Sequence, residues 1–120
     1  MATPELIAAY EAALPDDPSV RRKQMFGQPC AFVDRQMFFG TFGETVVARV
    51  GPERVATLAG QPGMRVFAPT EGQPWPDYVQ VDLPADEALL VSLAAEAMRW
   101  TRALPPRAAK VKAKRSASRG

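Results

Sequence analysis

Twelve prolines fall among 120 residues, about twice the usual share. Each removes a backbone donor and fixes φ, so a helix or central strand can hold one only at its margin. Their positions divide the chain before any other signal is used. Pro4, Pro52 and Pro84 stand where helices can open, because a proline at the first helical position loses no hydrogen bond. Pro15 and Pro18 flank a stop, and Pro105-Pro106 ends the last helical pattern. Glycine and proline together make 20 of 120 residues, below the share of a low-complexity chain. With 47% apolar residues, the chain can build one ordinary core, and the prolines punctuate it.

Between these marks the hydrophobic period alternates. Thr3 can cap a helix from Pro4 to Leu14, with Leu6, Ile7, Tyr10 and Leu14 as its apolar stripe. Short strands are expected over Arg21 to Phe26, Cys30 to Val33, Gln36 to Thr41 and Thr45 to Val50. Asp34-Arg35 is a two-residue hairpin candidate, with arginine where a type I′ turn prefers glycine. A short helix over Pro52 to Leu58 follows. Next come a strand over Arg65 to Ala68, a loop from Pro69 to Pro76 and a last strand over Asp77 to Val81. From Pro84 a final helix carries Leu89, Leu90, Leu93, Ala97, Trp100 and Leu104 on one face.

The expected fold is α+β and two-layered, in the order α-β-β-β-β-α-β-β-α. An antiparallel sheet of about five to six strands carries its helices on one face, since two- and three-residue loops cannot make parallel crossovers. Alternation cannot bury both Phe38 and Phe39 on that face. One of them is expected to point away from the helices, as an ordinary exposed aromatic or under a loop or a partner subunit.

Charge divides the chain a second time. Residues 107–120 carry Arg107, Lys110, Lys112, Lys114, Arg115 and Arg119 and no acidic residue. That leaves nine basic against thirteen acidic side chains in residues 1–106, a net of −4 hidden within a chain total of +2. The expected organisation is a domain over 1–106 and a disordered basic tail over 107–120. The tail is a candidate for sequence-independent contact with nucleic acid through counterion release, for a solubilising role, or for folding back onto its own acidic domain.

There is no histidine and one cysteine. A Ser-His-Asp triad, a Cys-His dyad, histidine-ligated zinc or haem, an internal disulfide and a cysteine-rich metal site are excluded on composition. Cys30 has no imidazole to activate it; Arg21, Arg22 and Lys23 on a neighbouring strand are the only candidates to lower its pKa. The acids Asp16, Asp17, Asp34, Asp82, Asp86 and Glu87 sit where turns and helix starts use them. No catalytic, cofactor-binding or metal-ligating residue is expected. Gly40-Thr41-Phe42-Gly43 has the spacing of a nucleic-acid-binding Gly-x-x-Gly loop but lies between strands, as a hairpin turn does. The basic run Arg21-Arg22-Lys23 reads as the charged start of an edge strand rather than a phosphate site. No basic leader or membrane-spanning stretch is evident, and a cytoplasmic location without membrane contact is expected.

Arg22-Lys23-Gln24-Met25-Phe26-Gly27, followed by Ala31-Phe32-Val33-Asp34-Arg35, Met37-Phe38, Arg49 between Ala48 and Val50, and Tyr78 ahead of Val81-Asp82-Leu83-Pro84, resembles the amino-terminal domain of the TfoX/Sxy proteins. The resemblance spans about Leu6 to Trp100 and rests on the order of these elements. Its signature residues here are Arg22, Lys23, Met25, Phe26, Gly27, Arg49 and Tyr78. The chain departs from the pattern at Gln28-Pro29 and at Arg35, where the family commonly has glycine. The resemblance implies a stand-alone bacterial domain with a secretion-chaperone-like layout, a homodimer and a non-catalytic interaction or regulatory role. In longer members that role is control of competence-gene transcription with the cyclic-AMP receptor protein. Two alternatives stand beside it: a nucleic-acid binder acting through the tail, and a small-molecule enzyme using Cys30, Tyr78 or Arg49.

Overall fold

A computed structural model describes residues 3–25 and 27–104. Helix α1 (Pro4–Ala13) leads into strands β1 (Arg21–Met25), β2 (Gln28–Val33), β3 (Gln36–Phe42) and β4 (Thr45–Arg49). Helix α2 (Pro52–Leu58), strands β5 (Met64–Thr70) and β6 (Gln73–Asp82) and helix α3 (Glu87–Arg102) follow. The six strands form one sheet in the order β1-β2-β3-β4-β6-β5, and every neighbouring pair is antiparallel. The fold is the expected α+β arrangement.

Local chemistry sets the boundaries. The Thr3 hydroxyl accepts a hydrogen bond from Leu6 N at 3.1 Å, and Pro4 occupies the first turn of α1. After the helix, the Asp17 carboxylate accepts from Ser19 N at 2.8 Å and from Ser19 Oγ at 2.6 Å. These bonds hold the Asp17 carboxyl below its usual range and turn the chain into β1. Asp34 and Arg35 both take positive φ, 51° and 67°, as a type I′ turn requires. Pro52 opens α2 as expected. Pro84 does not open α3: it follows a cis peptide bond, and the helix starts at Glu87 with Asp86 as its N-cap.

The stretch from Pro69 to Pro76 is not a loop. It is the distal part of the β5–β6 hairpin, which turns at Glu71-Gly72, with Gly72 at φ 81°. The prolines are tolerated because this segment lies beyond the reach of β4, which pairs with β6 only from Tyr78 to Asp82. Its pairing with β5 is also interrupted on either side of Phe67. At such positions a missing N–H breaks no ladder.

All three helices pack on one face of the sheet. Leu6, Tyr10 and Ala13 of α1, Val55 and Leu58 of α2, and Leu90, Leu93, Ala94, Ala97 and Met98 of α3 meet Ala31, Val33, Val46, Ala48, Val79 and Val81 from the strands. Phe38 and Phe39 both join this core and both are fully buried. Alternation fails there because of a β-bulge. Ala31 pairs with Phe39 and Phe32 with Met37, leaving Phe38 as an extra residue, so two successive side chains share a face. Neither points away from the helices, which removes that argument for a partner subunit.

The opposite face has a smaller core of its own. Cys30, Met37, Val47, Phe67 and Tyr78 are buried there, with Met25, Phe32, Phe42 and Trp75 packed around them. The distal hairpin brings Phe67 and Trp75 over this face. Phe67 lies 5.1 Å from the Phe42 ring centroid and 5.2 Å from that of Trp75, both edge-on, a favourable aromatic geometry. Among the described residues no helix is long and apolar enough to cross a membrane.

Candidate functional site

The second face brings aromatic, thioether, amide and guanidinium groups together around Arg49. As the last residue of β4, Arg49 stands opposite Tyr78 of β6. The β6 chain is anchored there because Val50 N and Gly51 N both donate to Asp77 O at 3.0 Å. The Arg49 side chain is only 17% exposed. Its guanidinium donates to Gln36 Oε1 at 2.9 Å and pairs with Asp77 Oδ2 at 3.3 Å. It also lies between two rings, 5.5 Å from the Tyr78 centroid and 5.4 Å from that of Trp100, a cation–π placement that fixes it further. Its Nε is buried with no hydrogen-bond partner among the described residues. Tyr78 is held in turn, its hydroxyl donating to Met37 O at 3.1 Å.

Beside Arg49 opens a recess of about 300 Å³. Met25, Phe32, Met37, Trp75 and Tyr78 form its apolar walls, while Gln36 and Arg49 supply polar groups and Arg35 stands in the hairpin turn at its margin. Among the described residues no carboxylate lines it. Lys23 lies next to this surface, its Nζ 5.2 Å from the Phe32 ring centroid. A larger cleft of about 400 Å³ lies between the start of α1 and Leu83–Ala85, but among the described residues it has two acids, Glu5 and Glu44, and neither a cation nor an aromatic ring.

The fold thus gathers Met25, Arg49 and Tyr78 of the signature in one recess, with Lys23 alongside. Arg22 faces the helices and is occupied by Glu11, its Nε reaching the two carboxylate oxygens at 3.0 and 3.1 Å. The pair holds the Arg22 pKa above its ordinary value. Gly27 serves the β1–β2 turn at φ 75°. Phe26 and the tail residues Arg107, Lys110, Lys112, Lys114, Arg115 and Arg119 lie outside the described residues.

Cys30 is opposite Lys23 in the β1–β2 ladder, yet its thiol is pushed up, not lowered, because burial outweighs the backbone hydrogen bonds it accepts. It does not line the recess. Gln36, Met37, Trp75, Asp77 and Trp100 were not anticipated as part of this constellation. The one local signal was a tryptophan between two prolines, Pro74-Trp75-Pro76, in a stretch that otherwise reads as connector.

Comparison with known protein families, with curated proteins and with solved structures returns no match.

Proposed function

We infer that this chain is a non-catalytic interaction module with a regulatory role, cytoplasmic and linked to transcription as the resemblance to the TfoX amino-terminal domain implies. The observation that carries the reading is β1. Among the described residues it lies at the margin of the sheet and pairs only with β2, and four of its five residues are exposed. An open edge is a template for an added strand. Arg21 and Lys23 select its partner: an acidic extended segment is attracted, whereas a second β1 would set like charges against one another. The side chains with catalytic potential support the same reading. The Cys30 thiol is buried, the Tyr78 hydroxyl is bonded to Met37 O, and Arg49 is engaged by Gln36 and Asp77.

A pull-down from native lysate with the full chain and with an Arg21→Glu/Lys23→Glu variant tests this. Loss of specific partners in the variant is expected; an unchanged set of bound proteins removes β1 as the docking edge. The homodimer is proposed to form away from β1. Light scattering is expected to give twice the 13.1 kDa chain mass, and a monomer mass removes that part of the reading. A second reading, tail-mediated contact with nucleic acid, is favoured by the six cations of residues 107–120.

A further inference from the structure

We propose that the recess beside Arg49 binds a small aromatic monocarboxylate. Among the described residues its lining carries two permanent cations, Arg35 and Arg49, and no acid. Asp77 pairs with Arg49 from outside the recess, through a single oxygen at 3.3 Å. Within the lining one positive charge is therefore balanced and one, on Arg35, is left, with Lys23 beside it, which matches a small anion of low charge rather than a polyphosphate. The volume agrees. About 300 Å³ lies at the lower end of small-molecule sites, enough for one ring system with a short acidic arm.

The walls suit the ring. Phe32, Trp75 and Tyr78 offer aromatic surface, and the two methionines, Met25 and Met37, adapt to its outline. The site is also held in place before any ligand arrives. Gln36, Asp77, Tyr78 and Trp100 fix the Arg49 guanidinium, and the two-residue turn with both φ values positive fixes the backbone at Arg35. A guanidinium already held at an apolar wall needs little further ordering to donate its remaining N–H groups to a carboxylate, while Arg35 at the rim supplies the uncompensated charge. This inference is independent of the β1 edge: either can fail alone.

The test is titration of the full chain with naphthylacetate, followed by amide and indole NMR shifts and by calorimetry. The expected shifts fall at Met25, Arg35, Met37 and the Trp75 indole and leave the β5 edge still. Uncharged naphthylacetamide is expected to bind about tenfold more weakly, the share of one charge-assisted contact. Arg35→Asn keeps a residue that tolerates positive φ while removing the rim charge, and is expected to weaken the acid severalfold without changing amide affinity. Equal binding of acid and amide overturns the proposal. So does tighter binding of adenosine monophosphate, or an absence of shifts in the recess at saturating probe while the spectrum of the free protein stays that of a folded chain.

Discussion

Tyr10 stacks on Phe39 with ring centroids 5.9 Å apart and planes 10° from parallel, yet its buried hydroxyl has no hydrogen-bond partner among the described residues. The ring belongs to the core and the oxygen is a liability. Tyr10→Phe keeps the stack and removes an unsatisfied polar atom, so it is expected to stabilise the domain by about 1 kcal/mol, read from the denaturant midpoint. Burial pushes the Tyr10 pKa well above its ordinary value. The folded state therefore holds the proton that the unfolded chain gives up near pH 10. This part of the stability is fully present below that pH and is lost as pH rises beyond it. In Tyr10→Phe the alkaline decline is expected to be shallower. Gly40 presents the converse case: a side chain is forbidden there, since an added Cβ would lie 2.6 Å from Cys30 Sγ and 3.2 Å from its Cα. Gly40→Ala is expected to cost about 1–3 kcal/mol. Combining it with Cys30→Ala is expected to destabilise less than the two changes summed, because the two sites share one contact.

At the scale of elements, what could be read from the sequence depended on whether the deciding partner was local. Thr3-Pro4, Gly51-Pro52 and Asp34-Arg35 are local arrangements, and α1, α2 and the β2–β3 turn stand where those residues place them. The distal part of the β5–β6 hairpin, from Pro69 to Pro76, was illegible because a proline is harmless or fatal according to which neighbour lies beside it, and no sequence window shows where β4 stops. The Phe38 bulge was illegible for a related reason: a period of two assumes unbroken pairing, and one inserted residue reverses the facing of everything beyond it. The recess needed both facts, since it joins residues from β1, β2, β3, β4 and β6. The junction of β4, α2 and α3 offers an element-level test. Gly51 has φ 95°, and a Cβ there would meet the Trp100 indole at 2.5 Å. Gly51→Ala is expected to cost about 2 kcal/mol or more, from the backbone and the collision together. The Trp100 environment should change in the fluorescence spectrum while far-UV dichroism stays that of an α+β fold.

The whole molecule is electrically two objects. Residues 1–106 carry a net of −4 and residues 107–120 a net of +6, so the chain total of +2 describes neither. An acidic domain repels a polyanion at long range, and any affinity for nucleic acid must come from the tail, whose contacts are set by counterion release rather than by base sequence. Six cations engaged on duplex DNA give a slope of about −5 in log affinity against log salt. Raising salt from about 50 to about 200 mM should then lower affinity by about a thousandfold. Gel-shift titrations at those two concentrations are expected to show retardation by the full chain at the lower salt only, with the same affinity for unrelated sequences. A chain ending at Pro106 is expected to retard nothing at either. Equal retardation by the two chains would place the contact on the folded domain, where β1 is the basic surface that could make it. A slope near zero for the full chain would mean that its cations never reach phosphate, and tail-mediated binding would fall.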